Sequence, residues 1–232
     1  MKYFIPLLLF ISVSLWAQSD FDRAENLFIH GKYISAKSLF ERHLKQHPQD
    51  LKTLEYLGDI QCHLTNWELA LPFYKTLQMR SPKHADYYYK YGGAKAMVAK
   101  ESNGIKALLM VDEIKSAFKK TLELEPKHIG ARWALIELHI QLPALVGGSE
   151  KKAIGFATEL LKISTVDGYL ARGHIEEHYN RYATAEAQYK KAIEVGNSQT
   201  TYQKLANLYQ HKMQQPQKAR QVWAAYNEKN KS

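Results

Sequence analysis

Residues 51–82 read LKTLEYLGDIQCHLTNWELALPFYKTLQMRSP. Counted from Leu51 as position 1, Leu57-Gly58 stand at 7 and 8, Trp67 at 17, Ala70 at 20, Tyr74 at 24 and Pro82 at 32. This is the spacing of a helix–turn–helix repeat with a period of about 34 residues. The physical reason for the spacing is packing. Small residues at positions 8 and 20 let two antiparallel helices approach closely, and large apolar residues such as those at 7, 17 and 24 fill the space between them and the next repeat. Proline near 32 ends the second helix, because it lacks the amide proton and disfavours helix in the residue before it. Helices this short are marginal alone, so stacked neighbours must share a core.

The same phase runs outward in both directions. Ala24, Gly31, Tyr33, Ala36, Phe40 and Pro48 fall 34 residues before Gly58, Thr65, Trp67, Ala70, Tyr74 and Pro82. Repeats are expected near 18–50, 51–84, 85–128, 129–165, 166–199 and 200–232. The third opens at Ala85 with Tyr91-Gly92 at 7 and 8, but its closing residues Phe118, Leu122 and Pro126 come ten residues late. The excess lies within Val98 to Leu109, around Ser102-Asn103-Gly104, and predicts longer helices or an extra turn. The fourth opens at Ile129, and its Ala153 comes five residues late. That excess falls in Leu142 to Ser149, whose Pro143 and Gly147-Gly148 predict a loop, with Ser149 capping the next helix. The fifth returns to standard length, with Gly173, Asn180, Tyr182, Ala185 and Tyr189 at 8, 15, 17, 20 and 24. The sixth carries Leu205, Leu208, Tyr209, Ala219 and Trp223, with Pro216 in the turn or opening the second helix.

Repeats one, two and five resemble the tetratricopeptide repeat (TPR) pattern, and the resemblance extends over nearly the whole chain after residue 17. It implies an all-α, right-handed TPR-type solenoid of about six helix-turn-helix units. Ile114 and Ile136 depart from the pattern, standing where small residues are usual. The middle of the chain is also similar to bacterial secreted TPR proteins with a Tyr-rich opening, here Tyr87 to Gly92, and a Pro-x-x-x-Gly-Gly-Ser insert, here Pro143 to Ser149. In TPR proteins the first helices line a concave groove through positions 2, 5, 9, 12 and 13. Carried onto this chain, the resemblance implies groove residues Glu55, Asp59, His63, Tyr89, Trp133, Glu137, Gln141, His174, Glu177 and His178. Lys52, Cys62, Asp86 and Leu170 fall in the same register. The strip is aromatic and acidic, and suits an extended or helical peptide.

The bulk composition agrees with a packed helical protein. Of 232 residues, 45% are apolar and 24% charged, with only 12 Gly and 7 Pro, so disorder is not the default. Cys62 is the single cysteine, which excludes an intrachain disulfide and a multi-cysteine zinc site. Residues 1–17 read as a secretory signal peptide: Lys2 supplies the positive start, Phe4 to Trp16 the apolar run, and Ala17 the small residue before cleavage. The expected location is periplasmic or secreted, with no membrane span after cleavage. Without Lys2 the balance is 31 basic against 23 acidic residues. No long basic block exists, and no nucleic-acid partner is expected.

One segment looks catalytic. His174-Ile175-Glu176-Glu177-His178 fits the inverted zinc-protease motif, with both histidines on one helical face. It needs a third ligand and a supporting fold, and it sits in register within a repeat. His43 and His47 form a second pair, placed at a helix end where a cation suits the dipole. Gly147-Gly148-Ser149 precedes a helix, yet lacks the Gly-Lys-Ser/Thr spacing of a phosphate loop. No catalytic set, cofactor or bound metal is predicted. The expected function is a non-enzymatic protein- or peptide-binding scaffold of the cell envelope. The alternatives are a metal-dependent hydrolase using His174, Glu177 and His178, or an anionic-surface binder drawing on the positive charge.

Overall fold

The structure is a computed structural model that describes residues 19–230. The expected signal peptide lies outside the described residues. The fold class is all-α, with twelve α-helices and no strand among the described residues. The chain divides after Thr65 into two compact bodies.

The first body holds α1 (Asp20–Ile29), α2 (Tyr33–Gln46) and α3 (Leu51–His63). Ser19 and Asp50 cap α1 and α3, each side chain accepting a backbone N–H of the first turn. Ala24, Ala36 and Phe40 are fully buried. Phe21, Phe28 and Phe40 gather around Tyr56, with Phe40 stacked on it at 4.7 Å. The Tyr56 hydroxyl donates to Glu25 at 2.7 Å, and burial, then that carboxylate, push its pKa well above the usual tyrosine range.

The second body holds α4 (Trp67–Arg80), α5 (Ala85–Glu101), α6 (Gly104–Leu124), α7 (Ile129–Gln141), α8 (Glu150–Ile163), α9 (Thr165–His178), α10 (Tyr182–Gly196), α11 (Gln199–Asn207) and α12 (Pro216–Lys229). The position-8 rule has a direct physical expression here. A Cβ on Gly173 would stand 2.4 Å from the fully buried Tyr189 ring, and one on Gly92 would stand 2.9 Å from Phe118. The departures are absorbed by exchange of bulk. Ile136 is fully buried, and its cluster takes small residues from α8, Ala153 and Ala157, in return. Ile114 packs with Phe118 and Leu135.

The turns separate standard from stretched repeats. Gly31, Thr65, Asn180 and Gln214 all occupy the left-handed region, with φ of 72°, 59°, 60° and 54°. All four hold position 15 of their repeats. A single left-handed residue therefore closes the α1–α2, α9–α10 and α11–α12 hairpins, and another follows α3 at the boundary of the first body. The stretched hairpins turn differently. The third repeat extends its helices to 17 and 21 residues and turns at Ser102-Asn103, with Asn103 capping α6. The fourth inserts a loop with one 3-10 turn, Ala144–Val146, and Ser149 caps α8 by accepting the Lys152 N–H at 3.3 Å. In the sixth, α11 runs into a π turn, Leu208–Lys212, which keeps both Leu208 and Tyr209 buried.

Candidate functional site

The stretched third repeat leaves a cleft between α5, α6 and α7, with a volume of about 670 Å³. Its space comes from small residues, Gly93, Ala96 and Ala99 on α5, Ala107 on α6 and Ala134 on α7. A Cβ on Gly93 would meet nothing within 4 Å. The walls are Met97, Leu108, Val111, Ile114, Phe118 and Leu138, and Leu142 closes one end. Lys100, Glu137 and Gln141 bring polar groups to an otherwise apolar lining. A cleft of this size and lining suits apolar groups oriented by a few polar contacts.

Three of the ten groove candidates, Tyr89, Glu137 and Gln141, line this cleft. Tyr89 is half-buried against Phe118 and His128, over a space that Gly130 leaves open. Burial, then the Asp86 charge, raise its hydroxyl pKa. Glu137 is held by two donors, His174 Nε2 at 2.7 Å and Gln141 Nε2 at 2.9 Å. The His174 hydrogen bond is the main reason its carboxyl titrates below the usual glutamate range, against the opposing effect of burial. The Trp133 ring lies 6.1 Å from His174, and its indole N–H donates to Asp167 of α9 at 3.0 Å. Trp133, Glu137, Gln141 and His174 thus form one connected patch across α7 and α9.

The remaining candidates have other partners, although His178 stands near enough to Glu137 to act on its carboxyl. Glu177 accepts the hydroxyl of buried Tyr189 at 2.8 Å, and His178 is exposed, its ring edge-on to Tyr179. The protease-like motif therefore spreads its side chains over different tasks: His174 on Glu137, Glu177 on Tyr189, His178 on the surface. In the first body, Glu55 and Asp59 are half-buried beside Tyr56, and exposed His63 stacks on Tyr33 at 4.3 Å.

Among the described residues, three His, Cys, Asp or Glu side chains bring ligand atoms within 4.8 Å of one another at one place: Asp86, Glu125 and His128. Sequence reading missed this cluster. The geometry identifies it as a helix cap. His128 Nδ1 accepts the Ala131 N–H at 3.0 Å, so Nε2 carries the proton and donates to Asp86 at 3.1 Å. Neither ring nitrogen keeps a lone pair for a metal. The available signal was a histidine placed just before a first helix, in the cap position that Asp50 holds in the second repeat.

No protein-family profile matches the chain, and no curated protein sequence matches it. Solved structures do. TTC0263, a thermophilic TPR protein of Thermus thermophilus, superposes with a TM-score of 0.65 at 23% identity, over 82% of this chain and 96% of that one. The fold is that of TPR proteins. A tetratricopeptide repeat protein from Parabacteroides merdae gives 0.64 at 16% identity, over 88% of this chain and 75% of that one. The MamA protein gives 0.57 at 20% identity, over 75% and 88%. At these identities the likeness concerns the fold alone.

Proposed function

We propose that this protein is a non-enzymatic scaffold that holds an apolar segment of a protein partner in the cleft between α5, α6 and α7. The observation that carries this reading is the 670 Å³ apolar cleft, with Glu137 and Lys100 among its few polar lining residues. Its volume takes several aliphatic or aromatic side chains from one peptide, in the manner of an anchored helix or strand. Glu137 then meets a basic residue flanking the anchor, and Lys100 an acidic one or a carboxylate. The Trp133–His174 patch extends the contact along α7 and α9.

The test is selection of peptides from a displayed library on the full chain, followed by affinity measurement on Ala107→Trp. Tryptophan at 107 fills the cleft from a half-exposed position near the start of α6. Selected peptides should carry apolar anchors and lose about tenfold or more in affinity for the variant. Peptides that bind the variant as tightly as the wild type would sink the reading.

The scaffold acts in the cell envelope on this reading, supported by the leader pattern of residues 1–17 and by the similarity of the Pro143–Ser149 insert to secreted TPR proteins. N-terminal sequencing of exported protein should begin at Gln18. An intact Met1 on protein confined to the cytoplasm would refute the location.

A further inference from the structure

The two stretched hairpins share an edge. Leu108, near the start of α6, and Leu142, at the start of the α7–α8 loop, line one cleft, so the two tips stand side by side. This edge carries apolar side chains that nothing covers. Ile105 and Leu109, one turn apart on α6, are 78% and 81% exposed, and Leu145 on the loop is 100% exposed.

Beside them lies a group of lysines, with the exposed carboxylate of Asp112 between Leu109 and Lys115 on α6. Lys115 of α6 reaches the loop, its Nζ 2.9 Å from where a Gly147 Cβ would stand. Lys119 follows one turn later, and Lys152 sits in the first turn of α8. Among the described residues no carboxylate pairs with any of the three. Some other lysines are paired, such as Lys120 with Glu123 and Lys190 with Glu186, but what marks these three is their gathering at one loop. The nearest acid in sequence to Lys152, Glu150, is taken by Arg181. The three lysines act together on buried His139 beneath the loop, whose imidazole is held below its ordinary range first by burial and then by their charge.

We propose that this edge docks on an anionic lipid bilayer, with Ile105, Leu109 and Leu145 entering the headgroup–acyl boundary and Lys115, Lys119 and Lys152 meeting lipid phosphates. Leucine and isoleucine flanked by lysine is the chemistry of an interfacial membrane contact. Protein interfaces are instead depleted of lysine. The docking surface adjoins the cleft through Leu108 and Leu142, but Ile105, Leu109, Leu145 and the three lysines are not among the residues that line it.

The test uses the full chain with vesicles of phosphatidylcholine alone and with about a third phosphatidylglycerol. Wild type should partition preferentially onto the anionic vesicles. The triple variant Ile105→Ser, Leu109→Ser, Leu145→Ser and the triple variant Lys115→Gln, Lys119→Gln, Lys152→Gln should each lose about tenfold or more. All proteins carry the same residues 1–17, and partition coefficients are read from a lipid titration below saturation, so affinity added equally by the leader leaves the ratio between variants unchanged. The serine positions are exposed, and an unchanged circular dichroism spectrum confirms folding. Leu145→Trp should shift its emission to the blue on anionic vesicles. Either triple variant partitioning like wild type, or no emission shift, overturns the proposal. So does a serine variant that changes the sedimenting species while leaving vesicle binding intact, which would make the edge a contact between copies.

Discussion

Replacing Gly173 with alanine adds one methyl group at the closest approach of α9 and α10. The new carbon would stand 2.4 Å from Tyr189 Cε1 and 2.5 Å from Cδ1. Comfortable carbon–carbon contact begins near about 3.5 Å, so the methyl intrudes by about 1 Å. The ring cannot swing aside freely. It is fully buried among Leu170, Ala185 and Ala192, and its hydroxyl is fixed to Glu177, one turn along the same helix as Gly173. Relief requires parting the helices, at about 1–3 kcal/mol, and loosening a charge-assisted hydrogen bond worth about 1.5–3 kcal/mol. Alanine returns about 1 kcal/mol of helix propensity, so the expected net loss is about 3 kcal/mol. Gly155 supplies the contrast. It lies in α8 with nothing within 4 Å of an added Cβ, so Gly155→Ala should gain about 0.5–1 kcal/mol. Urea unfolding followed by far-ultraviolet circular dichroism reads both. A Gly173→Ala midpoint at or above wild type, or a Gly155→Ala midpoint that falls with it, refutes the packing argument.

Two further outcomes follow from the titrating groups. His174→Leu should raise the Glu137 carboxyl toward the ordinary value of 4.5, read from carboxyl carbon shifts during titration. The wild-type folded value lies below the unfolded one, so the stabilisation it contributes is present above 4.5 and is lost as pH falls through the depressed value. His139, whose Nδ1–H donates to the Gly147 carbonyl of the loop at 3.0 Å, has a folded value below its ordinary 6.5, chiefly through burial, so the loop is held fully above 6.5 and weakens as pH falls from there toward the folded value. Hydrogen exchange at the Ser149 amide, bonded to the His139 carbonyl at 2.9 Å, reports this directly. Opening corrected for intrinsic rate should rise between about pH 7.5 and pH 5, and an unchanged opening constant contradicts the role given to His139.

The standard repeats were legible because their constraints are local and periodic. Gly173 and Tyr189 stand sixteen residues apart in sequence and meet as positions 8 and 24 require. The left-handed turn residues were visible as Gly31 and Asn180, types that tolerate that conformation, and less so as Thr65 and Gln214. The cleft was only half legible. Spacing showed ten surplus residues around Gly104, but period alone does not distinguish a loop from longer helices. The cleft depends on α6 running 21 residues. The groove candidates were assigned in the phase of a regular array, and the phase does not reveal side-chain partnerships. Glu177 and Tyr189 form a pair that no single-helix register exposes, and the His128 cap was signalled in the sequence by its place before α7 alone.

The turns have a consequence for engineering. In a repeat array each hairpin contacts its sequence neighbours alone, so hairpins of standard length can be exchanged. The stretch from α5 to α8 breaks that uniformity internally, yet it is followed by the standard-length hairpin of α9 and α10. It therefore has the form of a cassette. Residues 85–163, spliced between ordinary repeats of another array, should bring the cleft and its flanking edge with them as a portable recognition element, leaving the host's own hairpins unaltered.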